Sequence, residues 1–503
     1  MPRPSTLANW CCDPAMNNFK QKAIRGGVAK MCAQGANFSL RIGSVMILSR
    51  LLEPKDFGLV GMVTAFTGIL SLFKDFGLST AAIQRSSVTE EEISSLFWIN
   101  LLIGGVLALL ALALSPVVAT FYGEPRLMKV TAILATGLLF NAAGVQHAAI
   151  LQRDMRFTTT ASIEIAALAL SIALGIAMAL SGYGYWSLVA MTVITPVFLS
   201  TAFWITTKWI PRRPNLKTEI RSMLQFGGAV TLNGLVVYIA YNLEKVLLGR
   251  FWGADSVGMY IRAYQLVSIP TDNLNSAVGG VAFSALSRLQ HDFIRFKRYF
   301  LKGYSLVLAM SVPITITCAL FADDVIAVAL GPKWKDAALI FRLLAPTILI
   351  FAIINPLAWL MFALGMVGRS LRVALVLCPI VIGGYLLGLP YGPKGVAFAY
   401  SSAMTLWVVP HVAWCVRGTG ISFRDIATAV GRPLLSCVVA GGLSLTVVAS
   451  IAVSWQPLPR LILATSVLLT VYLGLLLFAM GQKRFYLDLL QHLKPNLPVE
   501  QAQ

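Results

Sequence analysis

The sequence consists almost throughout of long apolar segments, each about the length of a membrane span. Only short polar stretches separate them. Lipid offers the backbone no hydrogen-bond partners, so such segments must be helices that pair their own N–H and C=O groups. Only 12% of the residues are charged, where a soluble protein has about 25%. We therefore predict an all-α polytopic membrane protein of about 14 transmembrane helices. The predicted spans are approximately 28–50, 57–82, 95–119, 128–150, 158–181, 186–207, 223–249, 257–284, 299–322, 339–364, 373–389, 394–414, 434–455 and 461–481.

One segment recurs 200 positions further along the chain without a gap. Arg41–Gly58 reads RIGSVMILSRLLEPKDFG, and Tyr241–Gly258 reads YNLEKVLLGRFWGADSVG. Spans 1 and 2 therefore correspond to spans 7 and 8, and the alignment also places Asp75 on Asn275. An even number of spans in the first copy gives both copies the same orientation, as in parallel transporter repeats. This pattern predicts two pseudo-symmetric six-helix bundles followed by two additional helices.

The distribution of Lys and Arg predicts the orientation and the domain order. Of the 40 basic residues, 26 fall on one side of the membrane, nine on the other and five inside spans. By the positive-inside rule the richer side is cytoplasmic, and both termini lie there. The expected domains are a cytoplasmic N-terminal tail (1–27), a first six-helix bundle (28–207), a cytoplasmic basic linker (208–222), a second six-helix bundle (223–414), two further transmembrane helices (415–481) and a cytoplasmic C-terminal tail (482–503).

The net charge of +19 raises the possibility of a nucleic-acid-binding protein, but the basic residues lie in inter-helix loops and form no patch on a soluble fold. The four histidines are scattered without metal-ligand spacing, and no phosphate-binding Gly-rich loop occurs. The loops on the less basic side are too short for a catalytic domain. We therefore expect neither an enzyme nor a nucleic-acid-binding protein, with no cofactor and no metal site.

Charged residues inside the spans are the candidate functional residues, because each costs about 3 kcal/mol on insertion and tends to face a cavity or a partner. Four cations, Arg41, Lys74, Lys245 and Arg262, would form a staggered column if all faced the interior. The spans also contain the following further charged residues: Asp75, Glu164, Glu244, Asp272 and Arg342.

A structural explanation competes with the functional one. Lys74 adjoins Asp75 and Glu244 adjoins Lys245, so local ion pairs are easy to form, while Arg262 and Arg342 lie close enough to a membrane surface to extend toward it. Arg41 has no acid within reach on its own helix and needs a partner from elsewhere.

The sign of the charge indicates the cargo. A cationic midplane suits a phosphate-bearing substrate, because the guanidinium fork of Arg matches phosphate oxygens. An exporter of organic cations would instead be expected to display carboxylates. The carboxylates Asp75, Glu244 and Asp272 are candidates for ion coupling or for charge pairs.

Several short strings, in this order and spacing, give the chain a family resemblance. They are LSRLLEPKDFGLV (48–60), KDFGLSTAAIQR (74–85), SLFWIN (95–100), LQRDMRF (151–157), GRFWGADSVGMYIRAYQLVSIP (249–270), GPKWKDAALIFRLLAP (331–346) and LMFALGMVGRSLRV (360–373). The chain resembles the polysaccharide exporters of the MOP flippase superfamily, which include the colanic-acid-type Wzx and succinoglycan-type transport proteins. The resemblance extends over nearly the whole chain and implies a MATE-like fold.

This resemblance implies a flippase of the bacterial inner membrane, acting by alternating access of two bundles around a cationic cavity. Its cargo would be an undecaprenyl-diphosphate-linked oligosaccharide, with membrane lipid, a polysaccharide polymerase and chain-length or export proteins as partners. In the related lipid II flippases, arginines of helices 1 and 8 contact the diphosphate, which implies that role for Arg41 and Arg262. Two alternatives stay open, an ion-coupled small-molecule exporter of the MATE type and a non-transporting scaffold of a polysaccharide assembly complex.

Overall fold

The structure of the protein is a computed structural model that describes residues 34–73, 89–154, 156–213, 234–235, 237–290 and 292–482. Within these ranges every regular element is helical. The main helices are α1 (34–51), α2 (Pro54–Phe73), α3 (Glu90–Tyr122), α4 (Arg126–Arg153), α5 (Phe157–Leu180), α6 (Trp186–Thr207), α7 (Leu243–Arg288), α8 (Phe293–Leu320), α9 (Ala322–Ala329), α10 (Ala337–Leu344), α11 (Pro346–Ala363), α12 (Val367–Gly388), α13 (Gly392–Val416), α14 (Phe423–Ile451) and α15 (Pro457–Gly474).

The all-helical membrane fold predicted from the sequence is confirmed. Ten segments of the described chain are helical, long and apolar enough to cross a membrane, and one of them holds both α12 and α13. The order of these helices follows the order of the predicted spans. α7 consists of two helices that meet at Gly253, whose φ of 79° and ψ of 179° are not helical, so the connection predicted between spans 7 and 8 is a single-residue break.

The repeated segments meet each other through their glycines. A Cβ added to Gly58 would lie 1.7 Å from the carbonyl oxygen of Ala254, and one added to Gly258 would lie 1.8 Å from that of Pro54. Each glycine thus lets the backbone of one copy approach the backbone of the other, as small residues do in membrane helix packing. The N-terminus of α2 beside this contact is fixed by the Asp56 carboxylate, which accepts a hydrogen bond from the Glu53 backbone N–H at 3.0 Å.

By its internal contacts the chain divides into two units, Met1–Gly258 and Met259–Gln503. In the first unit α4 packs against α2, α3, α5 and α6. Small residues bring α3 and α4 close together, since Gly104 faces the methyl group of Ala142. The division between the predicted bundles, within the linker 208–222, stays a prediction.

A short segment after α6 folds back onto the N-terminal end of α3. The indole Nε1 of Trp98 donates to the Arg212 carbonyl at 2.8 Å, and the Arg212 N–H donates to the Ser94 hydroxyl at 3.1 Å. The guanidinium of Arg212 also forms a 3.0 Å ion pair with Glu90. Two hydrogen bonds of the Arg212 backbone and one ion pair of its side chain therefore hold the start of the basic linker.

In the second unit α8 packs against α11 and α14, and α14 packs against α15. Pro313 has no N–H for the carbonyl of Ala309 four residues earlier, and the Tyr472 hydroxyl of α15 donates to that carbonyl at 2.9 Å. At the other end of α15, Arg460 donates through Nε to both carboxylate oxygens of Asp324 at 2.9 Å. The two additional C-terminal helices are therefore an integral part of this unit.

Candidate substrate-binding site

Arg41 lies on the same face of α1 as several buried residues, but it is itself exposed. At about 100° per residue, positions 41, 45, 48 and 52 fall within about 60° of one another around the helix axis. Val45, Leu48 and Leu52 are 3%, 1% and 3% exposed, yet Arg41 is exposed. No hydrogen bond or ion pair joins its guanidinium to another residue in the described parts of the chain. Arg41 therefore points along the packing face of its helix with its hydrogen-bond donors unused there.

Glu244 and Lys245 lie in the first turn of α7 and face different surroundings. Glu244 is 1% exposed, and its Oε2 accepts no hydrogen bond from the residues that the structure describes. The Nζ of Lys245 donates to the Asn242 side-chain oxygen at 2.6 Å. This helix start is anchored near Tyr238, whose hydroxyl lies 3.2 Å from the carbonyls of Thr64 and Ala65 on α2. The buried carboxylate of Glu244 is therefore next in sequence to Lys245, whose ammonium group is hydrogen-bonded to the neutral side chain of Asn242.

Arg262 lies on α7 within the second unit and is only 6% exposed. Its Nη1 donates to Gln265 Oε1 at 2.5 Å, so this buried arginine is hydrogen-bonded to a residue of the same helix. Arg342, by contrast, forms an exposed ion pair with Asp323 at 2.6 Å. Asp272 and Glu164 are exposed.

Lys74 and Asp75 lie outside the described residues, and their predicted roles stay predictions. Arg41, Glu244 and Lys245 belong to the first unit, whereas Arg262 and Asp272 belong to the second. Among the described residues, the Arg41 guanidinium forms no ion pair with Glu244. Because Lys74 lies outside the described residues and the other cations belong to two units, the predicted column of cations stays a prediction.

The second unit contains a polar pocket without charged residues, which the sequence analysis did not predict. It lies between α7, α8 and α11, and its polar lining comprises Thr271, Asn275, Ser311, Asn355 and Trp359. The hydroxyl of Ser311 and the side-chain oxygen of Asn275 are buried and have no hydrogen-bond partner among the described residues. The sequence did contain one signal for it, since Asn275 occupies the repeat position of Asp75.

A second polar group is buried in the first unit, at the end of α3 and α4 beside the folded-back segment. Asn100 and His147 are both 0% exposed, and Asn100 has no hydrogen-bond partner among the described residues. His147 Nδ1 lies 2.8 Å from the hydroxyl of Thr207, which itself donates to the Phe203 carbonyl at 2.9 Å. The His147 ring is thus hydrogen-bonded to a threonine of α6.

Comparison with known proteins shows the family of this chain. The family described as "Polysaccharide biosynthesis protein" matches residues 47–339, more than half of the chain. The chain belongs to this family. The teichuronic acid biosynthesis protein TuaB of Bacillus subtilis is 30% identical over 354 residues, which cover 67% of this chain and 70% of that protein. The lipopolysaccharide biosynthesis protein WzxC of Escherichia coli is 25% identical over 383 residues, covering 74% and 77%.

Two solved structures share the fold of this chain. The lipid II flippase MurJ in an inward closed conformation has a TM-score of 0.71 at 14% identity, covering 93% of this chain and all of that one. An inward-facing multidrug resistance transporter of the MATE family has a TM-score of 0.61 at 14% identity, covering 78% and 94%. The MATE-like fold implied by the sequence motifs is thereby confirmed.

Proposed function

We propose that the protein is a flippase that moves a polyprenyl-diphosphate-linked oligosaccharide repeat unit across the bacterial inner membrane. The relatives are named for the biosynthesis of teichuronic acid and lipopolysaccharide, and one structural neighbour is named a lipid II flippase. The observation that carries the proposal is the position of Arg41. An exposed guanidinium on the packing face of a membrane helix, without a described ion pair, is suited to a phosphate ligand.

The proposed chemistry divides the cargo into three parts. Arg41 binds the diphosphate and Arg262 supports it, since guanidinium groups form paired hydrogen bonds with phosphate oxygens. Neutral side chains of the kind found around Asn275 and Ser311 suit sugar hydroxyl groups. The polyprenyl chain stays in lipid. The transport cycle exposes the phosphate-binding arginines alternately to the two sides of the membrane.

Binding alone gives the cycle no direction, because a ligand that binds two states equally shifts no equilibrium. We propose that an ion gradient or the membrane potential supplies the direction. Glu244 is the described carboxylate best suited to this role, because it is buried beside Lys245 and its Oε2 accepts no hydrogen bond from the described residues. In this arrangement both termini are cytoplasmic, and a polymerase and export proteins act on the cargo after its transfer. The protein itself then catalyses no covalent reaction.

Replacement of Arg41 in cells that lack their native exporter tests the proposal. Arg41→Ala should abolish extracellular polysaccharide, whereas Arg41→Lys should retain part of it because the positive charge remains. Arg50→Ala is the matched control, since position 50 lies on α1 about 180° from position 41 and is also exposed. Membrane insertion of each variant is confirmed by immunoblotting of membranes. Normal polymer from the Ala variant would remove Arg41 from the mechanism.

A small-molecule exporter is the second candidate function. The likeness to a MATE transporter and the buried carboxylate of Glu244 favour it. Strong drug resistance conferred by the chain, and lost in Glu244→Gln but kept in Arg41→Ala, would support this alternative. A non-transporting scaffold should instead have its membrane charges paired with one another, and Arg41 has no such pair among the described residues.

A further inference from the structure

A groove on the surface of the second unit follows the line between α12 and α13. The two helices touch at Gly384, where an added Cβ would lie 3.3 Å from the Ala399 carbonyl oxygen and 3.4 Å from the Ala403 methyl group. One residue earlier, a Cβ on Gly383 would meet no atom within 4 Å. The small residues therefore leave a hollow of about 910 Å³ that is open on one side. Its apolar walls include Pro379, Ile380, Leu387 and Leu406.

A second hollow lies beside the groove along the same stretch of α13, and a cation lines it. This hollow of about 750 Å³ shares Ser402 and Leu406 with the first and is also lined by Arg342, Ser401 and Thr405. Ser401 is 6% exposed, and its hydroxyl has no hydrogen-bond partner among the described residues. The Arg342 side chain is 42% exposed and is paired with Asp323 through Nη2. A guanidinium has five N–H donors, so Arg342 can bind an anion while it keeps this pair.

The length of the combined groove matches one leaflet of a bilayer. From Phe398 to Trp407 the helix rises about 14 Å at 1.5 Å per residue, close to half of a hydrocarbon core of about 30 Å. Leu387 and Leu406, at the rims, are 77% and 78% exposed, as expected of side chains that face lipid. The two hollows thus extend over about the length of a single leaflet, with apolar walls in one and a cation in the other.

We propose that this groove is a binding site for an anionic membrane phospholipid. One acyl chain lies along the small residues between α12 and α13, and the headgroup phosphate accepts hydrogen bonds from Arg342. Basic pockets between transmembrane helices bind anionic headgroups in this way. The site is separate from Arg41 and Arg262, which the proposed function assigns to the cargo. Asp323 competes with the phosphate for Arg342 and so limits the affinity.

Native mass spectrometry of the full-length protein in a non-ionic detergent tests this site. Phosphatidylglycerol and phosphatidylcholine with identical acyl chains are added in equal amounts, and the retained adducts are counted. The wild-type protein should retain phosphatidylglycerol preferentially. Arg342→Gln should reduce that preference about fivefold, the equivalent of ~1 kcal/mol for one basic residue near the headgroups. Asp323→Asn should increase the preference, because it removes the competing carboxylate.

Two further variants test the apolar channel. Gly383→Leu should lower the retention of both lipids, because a side chain at this position extends into the hollow and its Cβ meets no atom within 4 Å. Gly442→Leu is its control, since Gly442 lies on α14, is exposed and also has open space around its Cβ. Arg372→Gln is the control for Arg342, since Arg372 is an exposed arginine of α12 outside the groove. Both controls should behave as the wild type.

Several results would overturn the proposal. Equal retention of the two lipids by the wild type would do so, as would an unchanged preference in Arg342→Gln or a reduced one in Asp323→Asn. Displacement of phosphatidylglycerol by an equimolar polyprenyl monophosphate would show that the groove serves a carrier lipid instead. Circular dichroism and size-exclusion chromatography verify the fold of each variant. Should Gly383→Leu misfold, the Arg342 and Asp323 variants still decide the question.

Discussion

Replacing Gly58 with Ala tests the close contact between the two repeated segments. The new Cβ would lie 1.7 Å from the Ala254 carbonyl oxygen, whereas real Cβ atoms essentially never come closer than 3.0 Å to another atom. The backbones must therefore separate by more than a full ångström. Overpacking of this kind costs about 1–3 kcal/mol, and the gain in helix propensity from Gly to Ala returns at most ~1 kcal/mol. We expect a net loss of about 1–2 kcal/mol in the free energy of unfolding.

The measurement is unfolding by sodium dodecyl sulfate titration in mixed micelles, followed by circular dichroism. Gly258→Ala should cost as much as Gly58→Ala, because its Cβ would lie 1.8 Å from the Pro54 carbonyl oxygen. The double variant should cost less than the sum, since one separation of the backbones relieves both clashes. Gly442→Ala, with open space around its Cβ, should be neutral or stabilising. A Gly58→Ala protein as stable as the Gly442→Ala protein would refute this account of the contact.

Two other contacts give predictions of their own. A double-mutant cycle with Asp324→Asn and Arg460→Gln should give a coupling energy of about 1–3 kcal/mol in the same unfolding assay, because the carboxylate is 6% exposed. A coupling near zero would mean that the pair does not fasten α15. Trp98→Phe keeps an aromatic ring but removes the donor to the Arg212 carbonyl, so limited trypsin digestion should cleave after Arg212 several times faster than in the wild type. Unchanged cleavage would show that the folded-back segment is held by other contacts.

The helical membrane fold could be predicted because each span is a long run of apolar residues in the sequence. The order of helices from Pro54 onward follows from these runs. What the runs could not reveal was how the spans join. A loop was expected before span 8, but the break is the single residue Gly253. An isolated glycine in an apolar pattern looks the same whether it ends a helix or kinks it.

The candidate site was only partly predictable, because a sequence records which residues are charged but not what they contact. The face of Arg41 follows from the spacing of Val45 and Leu48, which the sequence already contains. The burial of Arg262 against Gln265 depends on packing with other helices. The pocket around Ser311 was missed because hydroxyl and amide side chains are common at membrane helix contacts and carry no charge signal.

The most direct test of the central claim is transfer of a polyprenyl-diphosphate-linked oligosaccharide in proteoliposomes that contain the purified protein. Transfer is measured as the fraction of the sugar that becomes accessible to an externally added lectin. The account predicts transfer by the wild type and by Arg50→Ala, and a loss of about 10- to 100-fold in Arg41→Ala, as expected when a hydrogen bond to a charged group worth about 1.5–3 kcal/mol is removed. Transfer by Arg41→Ala at the wild-type rate, or none by the wild-type protein, would contradict it.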